Sequence, residues 1–175
     1  MIKRCLLLMV VFGLMSGCSP MVSQQGSSPI PLDSEFAVIP MINLAQTPQA
    51  GDQVASILSA TLRAHGAKSV TLILPVDESE GLYETRERQD EAYDEARRQG
   101  AEYVFAGTVE EWRYKTGLDG EPAVGVTLEV RDARNNQIVW SGTAARSGWG
   151  REGLSVAGRK VLEDLVDAMP LETGR

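Results

Sequence analysis

Few side chains in this sequence are equipped for chemistry. It has one histidine, His65, and two cysteines, Cys5 and Cys18, so a His/Cys zinc cage cannot be assembled. A serine hydrolase needs a base beside its nucleophile. His65 instead falls in the last turn of a predicted helix, where the dipole favours a surface cation. Glu110 and Glu111 are adjacent carboxylates, but neighbours on a predicted strand point to opposite faces, the wrong arrangement for a cooperating acid and base. Gly148-Trp149-Gly150 and Gly117-Leu118-Asp119-Gly120 lack the lysine of a phosphate loop and open no helix after the first strand; the second is a hairpin turn. The pattern favours a binding or structural role, not an enzyme, with no cofactor and no metal.

Two features exceed what a generic domain requires. From Asp77 to Glu95 run nine acidic residues, Asp77, Glu78, Glu80, Glu84, Glu87, Asp90, Glu91, Asp94 and Glu95, accompanied by Arg86, Arg88, Arg97 and Arg98. A solvated helix with i,i+4 ion pairs accounts for the pattern. A helix so polar nearly all round has little to bury in a monomer, which also suits a lumen or a neighbouring subunit. The second feature is Trp149, between two glycines in a predicted loop. It reads either as a lid folded over the last helix or as an exposed indole suited to a membrane interface. Arg146 and Arg151 flank it, placed to meet lipid head groups or to solubilise the loop. Trp112 and Trp140 lie within predicted strands, where packing is the default.

The chain has 175 residues with 24 acidic against 17 basic, a formal charge of −7. Without a basic cluster, nucleic acid and anionic membrane surfaces are unsuitable partners, and a cationic one is more natural. Lys3 and Arg4 precede an apolar stretch over 5–15 that is too short to span a bilayer. The segment Leu14-Met15-Ser16-Gly17-Cys18 resembles the bacterial lipoprotein signal, in which the cysteine becomes both N-terminus and lipid attachment point. Met15 departs from the commoner Leu, and Ser19 after the cysteine points to the outer membrane rather than the inner. Cleavage before Cys18 removes Lys3 and Arg4 and no acidic residue, deepening the charge from −7 to −9. No internal disulfide remains possible, and acyl chains at about 0.8 kcal/mol per buried methylene anchor the domain without a transmembrane helix.

The expected organisation is a signal peptide over 1–17, a lipidated cysteine with a flexible tether over 18–35, one periplasmic α/β domain over 36–170 and a disordered tail over 171–175. The tether is rich in Ser and Pro without a period, and its coil reach is roughly 20 to 25 Å. Phe36 to Met41 is a short buried strand ended by Pro40. A helix opens at Gly51-Asp52, with apolar Val54, Ile57, Leu58 and Leu62 at i, i+3, i+4 and i+8, and stops at Gly66. Val70 to Leu74 is a second strand, and 84–99 is the charged helix with Ala92, Tyr93 and Ala96 as its thin buried side. Glu102 to Tyr114, Ala123 to Arg131 and Gln137 to Arg146 form a meander, and Leu154 to Met169 closes the domain as an amphipathic helix. The order β-α-β-α-β-β-β-α gives an α/β (α+β) fold, one mixed sheet of about five strands packed with three helices.

Glu102 to Gly107, Glu111 to Gly125 with its Trp112-Arg113-Tyr114-Lys115 core, and Ala145 to Trp149 resemble the PelC family, outer-membrane lipoproteins of the Pel exopolysaccharide system. More loosely, the strand, meander and last helix are similar to the CsgG and LpoB group of periplasmic lipoproteins. The PelC resemblance implies a non-enzymatic homo-oligomeric ring of about a dozen subunits. It would lie beneath the outer membrane, associated with the barrel and repeat protein PelB, and funnel a cationic polysaccharide during biofilm matrix secretion. It also implies that Trp149 belongs to an aromatic girdle on the membrane side. Asp119 and Glu121 in the hairpin, and Asp77, Glu78, Glu80 and Glu84 in the acidic segment, are candidates for guiding the polymer. The alternative is an LpoB-like lipoprotein that activates a cell-wall synthase, for which a short tether is ill suited.

Overall fold

The computed structural model describes residues 23–26, 28–74, 86–116, 120–148, 150 and 152–173. The strands are β1 (Ser23–Gln25), β2 (Ile30–Pro31), β3 (Glu35–Val38), β4 (Ile42–Asn43), β5 (Ser69–Leu72), β6 (Tyr103–Tyr114), β7 (Pro122–Asp132), β8 (Gln137–Ser147) and β9 (Leu171–Glu172). The helices are α1 (Ala50–Ala64), α2 (Arg86–Arg98) and α3 (Leu154–Asp167). The main sheet has the order β1-β8-β7-β6-β3-β5, with β4 also beside β6. Its β3–β5, β3–β6 and β4–β6 pairs are parallel, and β6, β7, β8 and β1 are antiparallel. Among the described residues the fold is thus mixed α/β with three helices, as the sequence indicates, on a sheet of seven strands instead of about five.

Period-two alternation divides the sheet between two layers. Phe36, Val38, Phe105, Val109, Val124, Val126, Leu128, Val130 and Trp140 share one core with α1 and α3. Ala37, Ile39, Val104 and Ala106 face α2 on the other side. One irregularity decides where the largest side chain goes. Between Val109 and Glu111 the β6–β7 register shifts by one residue, which turns Trp112 toward the helices, where it is fully buried. The shift also corrects the expectation for the paired carboxylates. The Cβ atoms of both Glu110 and Glu111 approach the outer side of Gly125, at 3.8 and 3.6 Å from where a side chain there would begin. They share a face, and Glu111 is already paired with Arg113 at 2.8 Å.

Two glycines admit the buried indoles. A methyl group on Gly158 of α3 would lie 2.6 Å from Cζ3 of Trp112, and one on Gly142 would lie 2.6 Å from Cη2 of Trp140. Only a residue without Cβ lets α3 and the sheet close to this distance. The hairpin turn expected over 134–136 is present, with Asn136 at φ 59°, a conformation that asparagine tolerates better than most residues.

Part of the segment expected as a tether pairs with the fold among the described residues. Ser23–Gln25 pairs with Ser141–Thr143 at the sheet edge, and Ile30 is fully buried. The region read as a disordered tail contributes β9, paired in parallel with β2. Paired strands thus occur on both sides of the expected domain bounds at 36 and 170. Among the described residues no helix is long and apolar enough to cross a membrane.

Candidate functional site

The polar helix α2 lies on the outer face of the sheet with only Ala92 and Ala96 buried. Two alanines contribute little burial energy, so polar contacts complete its docking. Arg88 donates to both carboxylate oxygens of Asp52 in the first turn of α1, at 2.7 and 3.0 Å. This is a bidentate pair with both side chains mostly shielded. The Gln89 amide donates to the carbonyls of Pro40 and Gly107, at 3.0 and 3.1 Å. These contacts turn Glu87, Asp90, Glu91 and Asp94 outward to solvent. Beside them Glu95 accepts from Gln99 and Arg98, which together hold its carboxyl below the usual range. Glu91, Asp94, Glu95 and Arg98 form one wall of an open groove of about 460 Å³ whose floor is Ile73 and Leu74. The described part of the acidic run, Glu87, Asp90, Glu91 and Asp94, thus lies at the surface rather than in a buried constellation, with Arg86, Arg97 and Arg98 exposed on the same helix. Asp77, Glu78, Glu80 and Glu84 fall outside the described residues, as do Asp119, Trp149, Arg151 and Cys18.

The other candidate residues gather at one end of the sheet, where β6 and β8 finish and β7 and α3 begin. Glu121 is half-exposed there, and its carbonyl accepts the Lys115 N–H at 2.7 Å. Gly148 donates its N–H to Pro122 O at 2.8 Å, and a Cβ at 148 would lie 2.5 Å from Pro122 Cγ. That crowding is the reason for glycine before position 149. Glu152, beyond it, is held by Lys160 at 2.6 Å with its side chain mostly shielded. Gly148 and Glu152 are thus held by Pro122 and Lys160 respectively. Arg146 lies beside Val124 on the helix-facing side of β8. It is half-buried, and its Nε is shielded without a hydrogen-bond partner among the described residues. Burial pushes the Asp164 carboxyl up, and Arg146 acts against that shift. Arg146 is a partly packed arginine on the helix-facing side of the sheet.

Sequence reading missed the contact that starts α3. No side chain of the N-cap residue Gly153 caps the helix, and the Tyr114 hydroxyl accepts the Leu154 N–H instead, at 3.0 Å. At the opposite end of α1 and α3, His65 bridges the two helices. Its Nδ1 faces Thr61 O at 2.8 Å and its Nε2 faces Asp167 Oδ1 at 2.9 Å. Two acceptors, one per ring nitrogen, suit the imidazolium. The Thr61 carbonyl above all, then Asp167, raises its pKa against burial. No group of three or more metal-ligating side chains occurs among the described residues.

A mixed sheet with two helices on one face and a polar helix on the other is a fold shared with solved proteins of low sequence identity. The crystal structure of lipoprotein GNA1162 from Neisseria meningitidis is similar in fold, with a TM-score of 0.52 at 18% identity over 77% of this chain and 99% of that one. Two solved structures of a PelC dodecamer from Paraburkholderia phytofirmans are far more similar. Each is 38% identical over its whole length, covering 89% and 90% of this chain with TM-scores of 0.75 and 0.74. The chain belongs to the PelC family. No protein-family profile matches it, and no curated sequence matches it significantly.

Proposed function

We propose that this protein is a lipid-anchored subunit of a ring beneath the outer membrane, and that the ring guides a cationic exopolysaccharide to a PelB-type export barrel without acting on it chemically. The observation that carries the reading is the 38% identity over 89% of the chain with a protein that is a dodecamer. Charge supports it. Loss of the signal segment takes the formal charge from −7 to −9, and α2 holds Glu87, Asp90, Glu91 and Asp94 in solvent. Repeated around a ring, such a face concentrates a polycation by field focusing without tight binding, and the effect weakens with salt. Cys18 supplies the acyl anchor. Trp149 faces the bilayer as part of an aromatic girdle, with Arg151 at the head groups.

The test is the mass of the mature domain by light scattering across protein concentration, followed by particle imaging of the lipidated protein in detergent. A closed ring in either preparation supports the reading. A strict monomer in both overturns the self-assembled ring.

A further inference from the structure

We infer that Tyr114 and Val156 form a membrane-contacting patch at the end of the domain where the lipid anchor arrives. The inference rests on the reading of Cys18 as acylated. β1 runs antiparallel to β8, with Ser23 opposite Thr143 and Gln25 opposite Ser141. Traced backward from Ser23, the chain therefore heads toward Ser147, the last residue of β8. The five residues from Cys18 to Ser23 span at most about 17 Å. The four from Thr143 to Ser147 cover about 14 Å of strand. That end of the sheet, where β6 and β8 finish, therefore lies within reach of Cys18.

At that end two large apolar side chains stand in solvent, Tyr114 at 51% and Val156 at 42% exposure. Both stand at the start of α3. The Tyr114 hydroxyl takes the Leu154 N–H at 3.0 Å, and Val156 lies two residues further on in the same helical turn. With its hydroxyl bound to the Leu154 N–H, Tyr114 leaves about half of its surface in solvent, and an amphipathic tyrosine suits the membrane interface. Lys115 stands exposed at the same rim and supplies a cation for phosphate head groups. Ile138, equally exposed at 50%, sits at the start of β8, the far end of the sheet, and serves as the internal control.

The experiment uses the full-length lipidated protein with single Tyr114→Cys, Val156→Cys, Ile138→Cys and Trp149→Cys substitutions. Each carries an environment-sensitive fluorophore; acylation occupies Cys18, so the label goes to the introduced thiol. The proteins are reconstituted in vesicles of phosphatidylethanolamine and phosphatidylglycerol, with or without brominated acyl chains. The expected result is a blue shift on reconstitution and a loss of emission to brominated lipid at 114 and 156, with neither at 138. Labels at 114 and 156 that behave like the label at 138 overturn the inference. If 149 is quenched by brominated lipid while 114 and 156 are not, the membrane-side reading of Trp149 stands and this inference falls. If 138 alone is quenched, both fall. A blue shift at 114 and 156 that follows protein concentration, without quenching by brominated lipid, assigns the patch to a neighbouring copy and also overturns membrane contact.

Discussion

Gly158→Ala sets two effects of opposite sign against each other. In an exposed helix interior, replacing glycine by alanine stabilises by about 1 kcal/mol, because the unfolded chain loses freedom. Here the added methyl would lie 2.6 Å from Cζ3 of Trp112 and closer still to Cη2, well inside van der Waals contact. Trp112 has no room to retreat, being fully buried, with its Nε1–H donating to Gln53 at 3.2 Å. Overpacking of this kind costs about 1–3 kcal/mol, and expulsion of the indole about 3–5. Less the helix-propensity gain of about 1 kcal/mol, the expected net loss is about 0–2 kcal/mol by overpacking or about 2–4 kcal/mol by expulsion of the indole, a fall in Tm of up to about 16 °C for a domain of this size. The assay is thermal unfolding followed by near-UV circular dichroism, which reports the tryptophans. Gly153→Ala is the control, because a Cβ there would meet nothing nearer than Val156 Cγ2 at 3.7 Å. Adding Trp112→Phe to Gly158→Ala should restore part of the loss, giving a double mutant less damaged than the sum. A Tm that rises in Gly158→Ala refutes the packing argument.

Three further outcomes are expected. The pKa of His65 is raised in the folded state, first by the Thr61 carbonyl and then by Asp167. The stabilisation it gives is therefore fully present below about pH 6.5 and lost as pH climbs through the folded value. The stability gap between wild type and His65→Gln, measured by urea titration, should be wide at acid pH and narrow in the alkaline range; a gap that widens with pH reverses the sign and sinks the assignment. Arg88→Met should cost about 1–2 kcal/mol by breaking a shielded bidentate pair, with amide exchange accelerated in α2 before α1; uniform acceleration across the domain would show that the pair does not dock α2. Trp149→Ala should abolish polysaccharide export with Tm unchanged, whereas a matching loss of stability would make the indole a packed lid.

The element order was legible because its parts are long and periodic. The twelve residues of β6 and the fifteen of α1 carry enough apolar positions to declare period two or 3.6. β1, β2 and β9 contain three, two and two residues, too few for any period, so nothing in the Ser- and Pro-rich stretch marks Ser23–Gln25 as a strand at the sheet edge. The bulge left a faint signal in Val109 and Trp112, two core residues three apart on a strand where alternation demands an even spacing. Taken as a phase slip, that spacing would have put Glu110 and Glu111 on one face. The acidic run of α2 was plain from composition. Its docking was not, since Arg88 and Asp52 are separated by 36 positions and nothing local marks them as partners.

Sequence alone determined the charge, the lipoprotein-like cysteine, the scarcity of catalytic side chains and the succession of helices and strands, all properties of single residues or short windows. Tertiary structure decided which faces those residues occupy: Trp112 inward against Gly158, four carboxylates of α2 outward, Tyr114 across the start of α3, and the chain entering beside β8. Each depends on register and on contacts between distant segments, which free energy selects only when the whole core closes.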